Sequence, residues 1–251
     1  MTTSIEPPNM YLSRIYDKYA DARPHHPTPA HANDLLRGTE PVFRKLFLSL
    51  LPASKNASIL DIGCGYGEFL YFLQREGYTN TQGIDLNLQQ IEVGSAPGVR
   101  NTPCGDTRQF LADAGQSFDF ISAIDLLEHI PKGRVLEPLD LVYASLSPSG
   151  NFLCQVPNLA AFYTPLFYID FSHETPFTPS SLKQALRIAG FTNVRISPIG
   201  PVVHRTKSAI RSLSWMGITA GPRFIQTVEG GPRDPLDSIY TAAIYATAEK
   251  H

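Results

Sequence analysis

Several features that mark specialised classes of protein are missing from this chain of 251 residues. It has only three cysteines, Cys64, Cys104 and Cys154, and none of their spacings matches a metal-binding pair. So few thiols cannot staple a fold of this length, and they read as small buried residues in a reducing compartment. No run approaches the ~18 apolar residues that would cross a membrane. The amino-terminal MTTSIEPPN is polar and lacks the apolar core of a secretion signal, so the chain reads as cytoplasmic. Charge of one sign is also missing: 21 Lys and Arg stand against 23 Asp and Glu. With no basic stripe, a nucleic-acid backbone is not an expected partner. No internal repeat and no low-complexity tract is present.

What is present is alternation. Short apolar runs alternate with segments of helical spacing, which predicts one α/β domain with a parallel sheet and helices on both faces. The expected order is a helix at 40–51, then strands at 59–61, 81–85, 99–104, 118–124, 151–156, 193–198 and 238–247. Helices are expected between them at 68–76, 88–93, 107–112, 133–145 and 179–189. Pro24, Pro27 and Pro29 argue against a long helix before residue 33. The stretch 200–235 is an insertion, polar and glycine-rich except for SAIRSLSWMGI, whose Ile210, Leu213, Trp215 and Met216 could form an apolar helix face. That face has three readings: packing on the domain, lining an acceptor pocket or homodimer contact, or touching a membrane surface beside Arg205, Lys207 and Arg211.

The densest chemical signal is ILDIGCGYG at 59–67, followed by Gly83-Ile84-Asp85. A strand that ends in glycines and turns into a helix is the entrance to a nucleotide-type pocket. The spacing is G-x-G-x-G, however, and not the G-x-G-x-x-G of dinucleotide sites. Asp61 also stands at the strand end, where a pyrophosphate would be repelled. A carboxylate there suits a ligand with an ammonium group, and Asp85 at the end of the next strand suits two ribose hydroxyls. An amino acid joined to a nucleoside fits both ends, and S-adenosylmethionine is such a molecule.

With these motifs the chain resembles the class I S-adenosylmethionine-dependent methyltransferases. The resemblance rests on DIGCGYG, GIDLN, Cys104-Gly105-Asp106 and FDFISAIDLLEHI, and covers residues 41 to 250. It implies a Rossmann-like, doubly wound sheet of about seven strands, the last antiparallel between its neighbours. It also implies a lid segment at 1–40, with Tyr16 and Tyr19 over the site, ahead of a methyltransferase domain at 41–251. The cofactor would rest on Asp61, Gly63, Cys64, Gly65 and Gly67, with Asp85 and Asn87 on the ribose and Leu86 on the adenine. Asp106 and Thr107 would reach the adenine amino group or cap a helix. Asp125 and Leu126 would wall the methionine, and S-adenosylhomocysteine would be the product.

The acceptor would lie beside Glu128 and His129 and along the aromatic loop that follows Pro157-Asn158. That loop carries Phe162, Tyr163, Phe167, Tyr168, Asp170, His173 and Glu174, and Trp215 of the insertion is a further candidate. DFSHETPFTPSSLKQAL is similar to segments of methyltransferases of glycan biosynthesis and, more distantly, of quinone-type enzymes. His173 is the leading general base, with Asp170 or Glu174 orienting it, and His129 is the other candidate. No metal is expected. The sulfonium is already activated, so the protein must chiefly align the nucleophile and exclude water. A histidine base favours O-methylation of a saccharide or small hydroxylated metabolite. The alternatives are an N- or C-methyltransferase of a small molecule, an inactive methyltransferase-like binding subunit, and a nicotinamide-dependent dehydrogenase.

Overall fold

A computed structural model describes residues 28–95, 97–113, 115, 117–162, 166–200, 206–230 and 234–251. Tyr16, Tyr19 and Tyr163 lie outside the described residues, as does most of the expected lid. Helix α1 (Pro29–Phe47) starts earlier than its sequence suggested and runs across residue 40. Pro29 takes a first-turn position, where a missing N–H leaves no helical bond unmade. Ala32, Leu36, Phe43 and Phe47 are buried at helical spacing, so the first half of α1 is held by packing.

The remaining elements are β1 (Ile59–Ile62), α2 (Glu68–Arg75), β2 (Thr81–Ile84), α3 (Leu88–Ser95), α4 (Thr107–Asp113), β3 (Phe118–Ile124), α5 (Leu136–Ser145), β4 (Leu146–Pro157), α6 (Pro179–Ile188), β5 (Thr192–Ile199), α7 (Thr206–Gly230) and β6 (Ala243–Glu249). The sheet order is β2-β1-β3-β4-β6-β5. The first four strands are parallel, and β6 lies antiparallel between β4 and β5, as the resemblance implied. Successive strand residues face opposite sides. Ile59, Phe120 and Leu153 pack with Phe43, Phe47, Phe69 and Phe72 of α1 and α2. Leu60, Ile121 and Cys154 pack with Leu139, Val142, Leu182 and Leu186 of α5 and α6. Chain order reverses between β1 and β3, and an open α/β sheet opens a crevice at the carboxyl ends of such strands.

Among the described residues the sheet has six strands, where about seven were expected. The expected strand 99–104 follows the edge of β2 but makes a single bridge, Asp85 with Cys104. Gly83 N–H donates to the Asn101 carbonyl at 3.0 Å and Asp85 N–H to that of Pro103 at 3.4 Å. Pro103 has no N–H to return, and Asn101 adopts a φ of +63°, so the ladder does not propagate. Cys104 is therefore exposed at this edge, against the expectation that all three thiols are buried. The insertion also differs from its reading, since SAIRSLSWMGI is only part of α7, which runs for 25 residues.

One packing constraint was not legible beforehand. A Cβ on Gly94 of α3 would stand 2.0 Å from the Tyr66 carbonyl oxygen in the glycine turn. Backbone cannot yield as a flexible side chain does. Gly94→Ala is therefore expected to destabilise the fold by about 1–3 kcal/mol, read as a lowered thermal midpoint. An unchanged midpoint would show that α3 moves freely against the turn.

Candidate active site

A cavity of about 390 Å³ opens at the carboxyl ends of β1 to β4. The glycine turn forms its floor. Gly63 and Cys64 N–H groups both donate to the Ile84 carbonyl, at 2.8 and 3.1 Å, which anchors the turn to β2. Gly63 has a φ of +65°, and a Cβ there would meet the Leu126 side chain at 2.7 Å, so only glycine fits. Asp85 ties the turn from the other side. Its carboxylate accepts Gly65 N–H at 2.8 Å and Asn87 N–H at 2.7 Å, and each oxygen keeps a further lone pair. Burial raises its pKa, opposed by those backbone donors.

Asp61 is buried at the end of β1 and accepts the Ser122 hydroxyl at 2.6 Å. Burial pushes its carboxyl up to about 7. Ser122 opposes the shift, and the charges of Asp85 and Glu68 add to it. Asp125 ends β3 in the left-handed region, with a φ of +53°, and accepts Gln155 Nε2–H at 3.0 Å. A non-glycine residue in that conformation marks a turn over-determined by its surroundings. Of the residues assigned to the cofactor, Asp61, Gly63, Cys64, Gly65, Asp85, Leu86, Asn87, Thr107, Asp125 and Leu126 all line the cavity. Gly67 shapes the turn but does not line it. Asp106 lies outside the lining and caps α4. Its carboxylate accepts Arg108 N–H at 2.7 Å and pairs with the Arg108 guanidinium at 2.9 Å. Burial would raise its pKa, but Arg108 prevails and holds it low.

The far wall comes from the short turn Leu127–His129 and the loop 170–175. The Glu128 carbonyl accepts both Glu174 and Thr175 N–H, at 2.7 and 2.9 Å, and so clips the loop onto the turn. Asp170 accepts Ser172 N–H at 2.9 Å and its hydroxyl at 2.5 Å. The same Ser172 oxygen lies 2.9 Å from His129 Nδ1. The one hydroxyl proton goes to Asp170, so His129 Nδ1 must be the donor to Ser172, and Nε2 is then its basic nitrogen. Asp170 therefore orients His129 through Ser172, not His173 directly. His173 Nδ1 donates instead to the Phe167 carbonyl at 2.8 Å, and its ring sits 4.7 Å from that of His129. Glu174 joins through its backbone alone.

Glu128 is buried, and neither carboxylate oxygen has a hydrogen-bond partner among the described residues. Burial, with the charges of Asp125 and Asp170, raises its pKa well above the usual range. One ligand atom each from Glu128, His129 and His173 lie within 4.8 Å of one another, a donor set able to hold a divalent cation. Spacing along the chain points at most to Asp170, His173 and Glu174 as ligands, because the observed set depends on the clip between turn and loop.

Other expected residues lie apart from the cavity lining. Asn158 staples β4 to the segment before β6, donating to the Ile239 and Thr241 carbonyls at 2.9 Å each. Phe162 packs on Tyr240, Phe167 packs on His173, and Tyr168 is exposed, while Leu166 and Ile169 take the lining positions of this loop. Trp215 lies on α7, outside the lining. Sequence reasoning missed Glu68, Gln90 and Gln155 in the lining, and Ser172 behind it. Glu68 was readable as the first residue after the glycine turn, and Gln155 as the polar residue at the end of β4.

Comparisons with known proteins agree with this geometry. Residues 36–196 match the methyltransferase-domain family. A ubiquinone biosynthesis O-methyltransferase of Xylella fastidiosa is 31% identical over 165 residues, which cover 61% of this chain and 63% of that protein. Another, of Coxiella burnetii, is 26% identical over 167 residues, covering 58% and 70%. The chain thus spans about 63% of the length of the first of these. Among solved structures, an S-adenosylmethionine-dependent methyltransferase of Archaeoglobus fulgidus superimposes with a TM-score of 0.58 at 23% identity, covering 96% of this chain and all of that one. Phosphoethanolamine N-methyltransferase 2 of Haemonchus contortus, bound to S-adenosylmethionine, gives 0.60 at 14% identity, covering 94% and 60%. The match over residues 36–196 and the glycine turn at the carboxyl end of β1 lead to one assignment: the chain belongs to the methyltransferase-domain family.

Proposed function

We propose that the chain transfers a methyl group from S-adenosylmethionine to a hydroxyl oxygen of a small, uncharged acceptor, with His129 as the proton acceptor. The observation that carries this reading is the Asp170–Ser172–His129 relay on the wall of the cavity. Methyl transfer breaks the S–CH3 bond and forms an O–CH3 bond, while the hydroxyl proton must leave. A base tied through the buried Ser172 to the Asp170 carboxylate suits that step, whereas a neutral amine needs no such help. Phe167 offers His173 only a neutral carbonyl. The base role expected for His173 therefore passes to His129, and His173 shapes the acceptor wall.

The lining also narrows the acceptor. It holds no Lys or Arg among the described residues, so no cationic side chain there would pair with a phosphate or carboxylate on the acceptor. The relatives are named ubiquinone biosynthesis O-methyltransferases, which supports transfer to oxygen on a quinone-type acceptor, and a saccharide hydroxyl is the other class compatible with the wall. Incubation with S-adenosylmethionine and a panel of catechols, quinols and sugars is expected to give methyl ethers, identified by mass spectrometry and NMR. Methylation only at nitrogen or carbon, or cofactor binding without any product, would overturn the reading.

A second reading is favoured by one observation, the two unpartnered oxygens of buried Glu128. With His129 and His173 they would hold a divalent cation, which would polarise the acceptor hydroxyl in place of a free base. Chelation separates the two: turnover that survives EDTA supports the free base, and loss restored by Mg2+, Mn2+ or Zn2+ supports the cation. No helix among the described residues is long and apolar enough to cross a membrane. The exposed Leu213, Met216, Phe224 and Val228 of α7 nevertheless suit contact with a membrane surface or a second copy of the chain.

A further inference from the structure

Helix α7 is turned the opposite way from a helix that only packs on its own domain. Its less exposed residues, Ser212, Trp215, Thr219, Pro222 and Gln226, recur every three or four positions and so share one side. Thr219 in the middle of that side is 2% exposed. The other side carries Ile210, Leu213, Met216, Phe224, Ile225 and Val228, which are 60–71% exposed. A surface helix ordinarily buries its apolar stripe and wets its polar one. Here most of the apolar residues face outward, the mark of an interaction surface.

Charge selects the occupant of that surface. The net charge of the whole chain is −2, yet α7 carries Lys207, Arg211 and Arg223 against one acid, Glu229. At about 3.6 residues per turn, Arg211 and Arg223 fall on opposite flanks of the apolar stripe. Both are exposed, and neither forms an ion pair among the described residues. An apolar face edged by unpaired arginines matches a lipid–water boundary. There the stripe sinks toward the acyl chains while the guanidinium groups reach phosphates. A second copy fits less well. A two-fold contact pairs a surface with itself, so basic flanks would meet basic flanks with only Glu229 to offset them.

We propose that α7 docks the chain on an anionic phospholipid surface, lying in the plane of the bilayer with the stripe from Ile210 to Val228 against the lipid. Polar Ser212, Thr219 and Gln226 on the inward side keep the helix on the surface and out of the bilayer core. The proposal goes beyond the methyl-transfer reading and does not depend on it. The helix is also tied to the loop that leaves the cavity. Gln226 accepts the Tyr240 hydroxyl, and the Tyr240 ring packs on Phe162, a few residues beyond Pro157 of the cavity lining. Docking therefore anchors the chain beside its acceptor loop.

Co-sedimentation of the full chain with vesicles tests this. Vesicles of phosphatidylglycerol and phosphatidylcholine in equal parts are expected to bind it at least about tenfold more tightly than phosphatidylcholine alone, and added salt should weaken the binding. Leu213→Ser with Phe224→Ser should cost about tenfold or more on the anionic vesicles. Arg211→Gln with Arg223→Gln should cost about twentyfold there, near fivefold for each charge, and little on neutral lipid. All four side chains other than their helix backbone face solvent or half-face it, so thermal midpoints should hardly move. The proposal is overturned if the wild type ignores anionic vesicles, binds both kinds equally, or binds as well after either pair of substitutions. A wild-type dimer in analytical ultracentrifugation, dispersed by Leu213→Ser with Phe224→Ser, would assign the face to a second copy and equally overturn it. Should the variants fold poorly, the wild type decides through Trp215, the one tryptophan of the chain, which lies on this helix. Quenching of its fluorescence by brominated phosphatidylglycerol supports docking, and its absence contradicts it.

Discussion

Replacing His129 by Ala is expected to lower methyl transfer by about 10²–10⁴-fold, the usual contribution of a positioned general base. The affinity for S-adenosylmethionine should stay within about twofold, since the loss belongs to the reaction and not to cofactor binding. The relay behind it gives the test more reach. Ser172 is buried and bonds to both Asp170 and His129, so Ser172→Ala should reproduce part of the loss without touching a ligand. His173→Ala should cost less, because that ring is fixed by the Phe167 carbonyl and lacks a carboxylate behind it. Single-turnover assays of the three variants check the order. If His173→Ala proved the most damaging and His129→Ala nearly silent, proton acceptance would return to His173.

Asp85→Ala is expected to weaken cofactor binding by about 1–3 kcal/mol, the scale of hydrogen bonds to a charged group. Two effects combine. The carboxylate that would accept the ribose hydroxyls is lost, and so are the bonds that tie Gly65 and Asn87 to the end of β2. Asp85→Asn separates them, since its amide carbonyl can still accept one backbone N–H. Titration with S-adenosylmethionine should rank wild type above Asp85→Asn, and that above Asp85→Ala. Equal affinity in all three would remove Asp85 from the cofactor site.

The sequence made the floor of the cavity legible and left its far wall obscure, for a physical reason. The floor is local. Strand, glycine turn and helix fall within residues 59 to 75, and a left-handed backbone beside a packed Leu126 admits little but glycine. Asp85 follows from the same logic one strand later. The wall is not local. Asp170, Ser172 and His129 meet only because Glu174 and Thr175 donate to the Glu128 carbonyl across more than forty residues of chain. No spacing rule reports such a clip, so the sequence points to neither Ser172 nor the link from Asp170 through it to His129. The missing edge strand has a similar origin. The segment 99–104 has strand-like composition, yet Pro103 and the positive φ at Asn101 stop its ladder after one bridge. The antiparallel β6 was anticipated from family resemblance alone, because periodicity says nothing about strand direction.

The most direct test of the whole account is a crystal structure of the full chain soaked with S-adenosylhomocysteine. The account predicts the nucleoside in the cavity, with its ribose hydroxyls on the Asp85 carboxylate and its amino-acid end over the turn from Asp61 to Gly65. A cavity left empty by that molecule, yet filled by a phosphate-bearing nucleotide, would contradict it.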